Sequence, residues 1–325
     1  MADPSRTAER TPAARVEVDE ISLNDSSYGD ELSSYSTSLA SSVKNFEFKH
    51  GRRYHSYQAG SYQFPNDEAE QERLDMFHHI ISLSLDGKLH LAPFNPEGAR
   101  VLDIGTGTGI WAMDMGDLYP QAELILGNDL SPIQPSWVPP NVKFVVDDAE
   151  SEWVPTQPYN YIHARYLAAS ISNWPRLMKQ CYDNLTPGGW VEFHDTNGYP
   201  YSEDGSIDMT PKYKLTEMTD LLGVVCEKTN RELHPGPKLK KWVEDAGFIN
   251  VKEEVRKLPV GTWPKDKTMK EIGAFTALQW TEGVEGFTTY PFTQVLGWSK
   301  EEVEVFCAQL RADVKKRNVH ALLNV

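Results

Sequence analysis

The densest chemistry in the chain lies in the run Val101-Leu102-Asp103-Ile104-Gly105-Thr106-Gly107-Thr108-Gly109, where alternating glycines follow a carboxylate. Glycines so spaced let a backbone turn sharply and approach a ligand with no side chain in the way. The spacing excludes two common readings: a dinucleotide pattern G-x-G-x-x-G would need glycine where Ile110 stands, and no Gly-Lys-Ser/Thr follows as a P-loop requires. Two further acids fall at suggestive positions. Asp129, in Gly127-Asn128-Asp129-Leu130, is suited to accept hydrogen bonds from both hydroxyls of a ribose. Asp148, followed by Ala149, offers a carboxylate and a small side chain to the amino group and ring face of an adenine, with Asp147 as the fallback. His163 and His194, the latter flanked by Glu192 and Asp195, are the candidate proton acceptors; each is otherwise a hydrogen-bonded structural side chain.

These residues need a scaffold that brings them to one edge, and the hydrophobic pattern supplies it. Val101 to Ile104, Leu124 to Gly127, Val142 to Val146, Tyr159 to His163 and Trp190 to His194 read as short strands, the last entered through Pro187-Gly188-Gly189. Helices over Ile110 to Tyr119 and Pro175 to Leu185 alternate with them. Such alternation implies parallel pairing, right-handed crossovers and helices on both faces, an α/β doubly wound, Rossmann-like sheet. Ligands of such sheets bind beyond the carboxyl ends of the strands, where the three acids would sit.

Around this core the chain divides into four stretches. Residues 1–45 are serine-rich with few bulky apolar side chains and read as a disordered tail. Residues 46–98 read as an N-terminal helical cap contributing to the ligand site: a basic, aromatic stretch to Pro65, then an amphipathic helix capped by Asn66 or Asp67 and carrying Leu74, Phe77, Ile81 and Leu85 on one face. Residues 99–325 form the main domain, and the segment from Asn197 to Arg231, with a helix over Tyr213 to Glu227, reads as a lid after the fifth strand. Beyond it are expected a helix from Pro237 to Ala246 stopped by Gly247, a strand from Phe248 to Val255, loops after Val260, and a helix opened by the capping box Ser299-Lys300-Glu301-Glu302. Trp174, Trp190 and Trp242 read as core packing.

Composition bounds the function. The 325 residues carry 40% hydrophobic side chains, ample for a large core, and a formal net charge of -15, which argues against gripping nucleic acid by neutralising phosphates. No segment has the length and apolarity of a membrane span, so no membrane association is expected. Cys181, Cys226 and Cys307 are scattered without metal-ligand spacing, which suits free thiols in a reducing compartment and no metal.

The run Asp103-x-Gly105-x-Gly107-x-Gly109 resembles the acidic glycine turn of class I methyltransferases. The upstream blocks Gly51-Arg52-Arg53-Tyr54-His55-Ser56-Tyr57, Phe64-Pro65-Asn66-Asp67-Glu68-Ala69-Glu70 and Leu85-Asp86-Gly87-Lys88-Leu89 are more diagnostic. With Tyr161-Ile162-His163-Ala164-Arg165, Leu185-Thr186-Pro187-Gly188-Gly189-Trp190 and Leu233-His234-Pro235, they are similar to fungal LaeA-like methyltransferases over residues 46–325. The resemblance implies S-adenosyl-L-methionine as cofactor and a part in secondary metabolism or development. It implies either a tailoring enzyme with a small-molecule acceptor or a regulator joined to a velvet-type protein, in the cytoplasm, the nucleus or both; a cofactor-binding scaffold without turnover is the third reading. On it, Asp103, Gly105, Thr106, Gly107 and Gly109 hold the methionine end, Asp129 and Leu130 the ribose, Asp148 and Ala149 the adenine, while Tyr57, Arg52 and Arg53 close over the cofactor's carboxylate. Both histidines should then face the methyl group. In one place the pattern departs from the family: the chain ends at His320-Ala321-Leu322-Leu323-Asn324-Val325, where the last antiparallel strand should only begin.

Overall fold

In a computed structural model the described residues are 47–55, 63–154, 157–208 and 211–325. The serine-rich tail and Tyr57 lie outside them. The centre is a five-stranded sheet of β3 (Arg100–Ile104), β4 (Leu124–Asp129), β5 (Val142–Val146), β6 (Tyr159–Arg165) and β7 (Leu185–His194), in the order β5-β4-β3-β6-β7 with every pair parallel. The chain steps outward from β3 to β4 and β5, then returns to lay β6 on the other side of β3. That reversal is the switch point at which an open α/β sheet leaves a crevice. The strand expectations hold, with β7 longer at its start: Pro187, Gly188 and Gly189 are part of the strand, across a register irregularity opposite Tyr159 and Tyr161.

Parallel neighbours in register share a face. Asp103 pairs with His163, His163 with Glu192, and Arg165 with His194, so the polar groups singled out above project to the same side. Helices α2 (Ile110–Leu118) and α3 (Trp174–Asp183) follow β3 and β6. Trp111, Ala112 and Met115 of α2 are buried against Val101, Ile125 and Tyr161, while Leu177, Met178 and Cys181 of α3 pack on Leu102 and Ile162. Trp174 stacks on Trp242 with ring centres 5.5 Å apart, the packing role expected of both, and Trp190 packs partly buried in the α2 cluster.

The region before the sheet is more than a helical cap. β1 (Glu47–Lys49) and β2 (Arg52–Tyr54) form an antiparallel hairpin ahead of α1 (Glu68–Ser84). Asp67 caps α1 by accepting from the Glu70 amide at 3.1 Å, and it also takes two bonds from the Arg52 guanidinium, at 2.5 and 2.8 Å. Arg53 donates to the Asn66 carbonyl at 2.6 Å and to Glu68 at 2.8 Å. The two arginines therefore staple the hairpin to the start of α1.

After β7 come α4 (Lys214–Thr229), α5 (Gly236–Asp245), β8 (Lys257–Pro259), α6 (Lys267–Tyr290), a π-helical turn over Pro291–Leu296, α7 (Lys300–Val314) and β9 (Leu322–Asn324). Phe248 to Val255 forms no strand. Asn250 adopts a left-handed φ of 59°, which breaks an extended run, and Ile249 points into solvent. In place of loops after Val260 there is the longest helix among the described residues, α6, buried nearly all round between α1, β8 and α7. The capping box at Ser299 forms as expected, with the Ser299 hydroxyl accepting from the Glu302 amide and Glu302 accepting from the Ser299 amide. The final strand exists but joins a different sheet: β9 pairs antiparallel with β8. It also accepts from Thr196 Oγ1 and the Asn197 amide at 3.0 Å each, and exchanges backbone bonds with Tyr201.

Candidate functional site

The glycine turn is built by three glycines in the left-handed region, with φ of 65° at Gly105, 58° at Gly107 and 81° at Gly109. Space separates their roles. A Cβ on Gly105 would meet Leu167 at 2.6 Å and one on Gly109 would meet Phe144 at 2.4 Å, so these two let the turn pack on the protein. At Gly107 the nearest atom is Leu74 Cδ1 at 3.5 Å: only the backbone conformation demands glycine there, and it lines an open cleft. Gly105, Thr106, Gly107 and Thr108 form one wall of that cleft, Leu74 and Phe77 of α1 another, and Asp103, Trp111, His163, Arg165 and Tyr166 complete it.

Asp103 and His163 sit together at the end of β3 and β6. His163 Nδ1 lies 2.7 Å from Asp103 Oδ1, while Asp103 Oδ2 accepts from the Thr106 hydroxyl at 2.6 Å. Burial pushes the Asp103 carboxyl up to about 6, and burial holds the His163 imidazole well below its usual value. His163 is therefore neutral near pH 7; with Nδ1–H donated to Asp103, its Nε2 carries a lone pair. That Nε2 is buried and has no partner in the protein. The ring lies flat on Trp111, 3.7 Å between centres and 7° from parallel, which fixes its plane.

His194 is placed differently. Its Nε2 bonds Glu192 Oε1 at 2.5 Å, and its ring stands edge-on to His163 at 5.3 Å, outside the lining of the cleft. Burial opposes ionisation of Glu192, but the His194 bond and the Ala92 and Leu91 amides hold the carboxylate down at about 2. Of the two histidines, His163 lines the cleft and His194 does not.

The acids at the other strand tips serve the turn. Asp129 accepts from the Gly107 amide and the Ser131 amide, both at 2.9 Å, so the tip of β4 pins the glycine at the front of the cleft. Burial raises its pKa. Leu130 follows it, half-buried. Asp148 accepts from the Glu150 amide at 2.8 Å and the Ser151 hydroxyl at 3.3 Å, and the Ala149 carbonyl accepts from Trp153 and Gln180. Neither Asp148 nor Ala149 lines the cleft.

The residue that sequence reasoning passed over is Tyr166. It follows β6 directly and holds a φ of 58°, unusual for a bulky side chain. Its ring packs on Phe77 at 4.1 Å, and its hydroxyl receives Arg73 Nη1 at 3.5 Å and Gln279 Nε2 at 3.3 Å. Tyr166 also lines a second cavity, with Phe64, Arg73, Trp280 and Phe287 among its other walls. The signal was its place one step past the tip of the fourth strand, beside the switch point.

A parallel sheet in this order, with an acidic glycine turn after its first strand and a cleft at the switch point, defines the class I methyltransferase fold. A family model for the methyltransferase domain matches residues 76–253. Methyltransferase pytC of Aspergillus terreus is 51% identical over 313 residues, covering 96% of this chain and 94% of the relative. The secondary metabolism regulator LAE1 of Cochliobolus heterostrophus is 36% identical, over 85% of this chain and 92% of the relative. The protein-methionine methyltransferase laeA of Emericella nidulans is 31% identical, over 98% and 85% respectively. The chain belongs to the methyltransferase-domain family, in its fungal LaeA-like branch, and is an S-adenosyl-L-methionine-dependent methyltransferase related to secondary metabolism.

Proposed function

We propose that the chain is a tailoring enzyme, moving a methyl group from S-adenosyl-L-methionine to oxygen or nitrogen of a small molecule. One observation carries the reading: the cleft at the glycine turn and the second cavity share Tyr166 as a lining residue, which makes them neighbouring places for a donor and an acceptor. The cofactor supplies an activated methyl on a sulfonium, which leaves by in-line displacement when an acceptor is held in line. The cleft fits it: the bare backbone at Gly107 admits close approach, and Asp103 supplies the one carboxylate in the lining for an ammonium group. Asp129 keeps lone pairs for ribose hydroxyls beyond the two amides that it accepts, and Asp148 with Ala149 is the adenine partner, reached past the rim of the cleft.

His163 is the base when the acceptor carries a proton: its tautomer is set by Asp103, its plane by Trp111, and Nε2 takes the proton. His194 instead holds Glu192, which ties the segment from Leu91 to Ala92 to the sheet. The experiment is a host extract incubated with the full chain and cofactor carrying a labelled methyl. Label recovered in a small molecule supports tailoring; cofactor binding with no transferred label supports the scaffold reading.

The regulator names of several relatives favour a second reading, in which a velvet-type protein partner directs the activity and the chain works in the nucleus as well as the cytoplasm. Capture with the tagged full chain from a fungal lysate tests it, a recovered velvet-type partner supporting the regulator.

A further inference from the structure

The second cavity holds chemistry that the methyl donor does not use. Its wall is assembled from Phe64, from Met218 and Leu222 of α4, from Leu233, and from Trp280 and Phe287 of α6, all apolar or aromatic. Among the described residues that line it, Arg73 alone carries a charge. That charge is spent locally: Arg73 Nε and Nη2 make a two-pronged pair with Glu70 at 2.9 and 2.6 Å, and both side chains are almost fully buried. The guanidinium also lies over the Phe287 ring at 4.6 Å. A net-neutral, largely aromatic cavity penalises an ionised guest, because burying a second charge beside a satisfied pair leaves it without a counter-ion.

Two hydrogen-bond donors remain. The indole Nε1 of Trp280 is buried with no hydrogen-bond partner among the described residues, and a buried donor is costly unless something accepts from it. The Tyr166 hydroxyl already accepts from Arg73 and Gln279, so its own proton is left to be donated. Burial raises the Tyr166 pKa, which keeps that proton in place near neutral pH.

We infer that the second cavity is the acceptor site and that it takes an uncharged, largely apolar, ring-containing molecule whose oxygen accepts a hydrogen bond from Trp280 Nε1–H, with Tyr166 marking the end at which methyl transfer occurs. This rests on the methyltransferase reading and adds to it the class of acceptor. The segment read as a lid contributes Gly198, Met218, Thr219 and Leu222 to the wall. Specificity then belongs to α4 and α6, and the cofactor to the glycine turn.

The test uses the full chain with S-adenosylhomocysteine as the cofactor probe and 2-naphthol as the guest, an uncharged aromatic with one oxygen that also fluoresces. Titrations are run with and without S-adenosylhomocysteine. The wild-type chain is expected to bind 2-naphthol, and to bind 2-naphthalenesulfonate at least about tenfold more weakly. Leu222→Trp, which fills the cavity, should weaken 2-naphthol at least about tenfold with S-adenosylhomocysteine affinity unchanged. Trp280→Phe removes only the N–H donor: it should weaken 2-naphthol several-fold and leave 2-methylnaphthalene, which has no oxygen, unaffected. That contrast cannot come from misfolding. No 2-naphthol binding, preference for the sulfonate, or equal losses for both naphthalenes in Trp280→Phe overturns the inference. Failure of the wild-type chain to bind S-adenosylhomocysteine overturns the methyltransferase reading instead, and the naphthol titration without cofactor still decides the cavity.

Discussion

At the scale of single residues, the glycine turn divides its labour. Gly105 and Gly109 are forced by neighbouring side chains, and Gly107 by its φ of 58° and by what must come near it. Gly107→Asp is expected to abolish cofactor binding in calorimetry; wild-type affinity in that variant would remove the cleft as the cofactor site. Asp103 gives a pH dependence. Burial raises its pKa from the usual 3.8 to about 6, so the carboxylate, proposed above as the partner of an ammonium, is present above that pH and lost below it. Cofactor affinity should therefore fall as pH drops through about 6, and Asp103→Asn should show weaker binding with that step absent. For the histidines, His163→Ala should lower kcat by roughly 100-fold or more, the range for a lost general base, with cofactor affinity measured in parallel. His194→Ala should cost far less, and equal turnover losses in the two variants would argue against assigning the base to His163. Sequence alone could nominate both histidines because each was expected at the tip of a strand; it could not tell them apart, since what fixes His163 is a stack on Trp111, far away in the chain, and β6 runs on past it to Arg165.

At the scale of elements, β3 and β6 were legible because largely buried strands read as apolar runs bounded by turns, and α7 because its capping box is a local signature. α6 was not. Helix recognition relies on an apolar stripe beside a polar one, and α6 is buried on nearly every side, carrying threonines and glycines through its middle. Those glycines are there for contact. A Cβ on Gly273 would lie 2.0 Å from the Gly261 carbonyl, and one on Gly283 would strike Arg73 at 2.4 Å. Gly273→Ala is accordingly expected to lower the melting temperature by several degrees despite alanine's better helix propensity, since the obstructing atom is backbone. At the other helix, Ser299→Ala should cost about 1 kcal/mol in denaturant unfolding, the usual loss for a helix cap. The strand expected at Phe248 to Val255 failed for a reason of one residue, the left-handed Asn250, which an apolar pattern does not reveal.

At the scale of the whole molecule, the two cavities differ in how much chain they require. The cleft is lined by residues from Leu74 to Tyr166, and a methyltransferase-domain match over residues 76–253 takes in all of it but Leu74. The second cavity draws on Phe64 at one end and Phe287 at the other, both beyond that span. The short ribbon of β8 and β9 belongs to the same outlying shell, bonded to Thr196, Asn197 and Tyr201 just after β7. Tyr201→Pro, which removes an amide that Leu322 accepts from, is expected to lower thermal stability and loosen 2-naphthol binding more than S-adenosylhomocysteine binding; the reverse order would detach the ribbon from the acceptor side. Tyr166, with its unusual backbone angle, is where the two territories touch. Under the proposed reading, then, the two cavities meet at a single residue, so substitutions in the outlying shell can change which acceptor is held while the walls of the cleft keep every other contact.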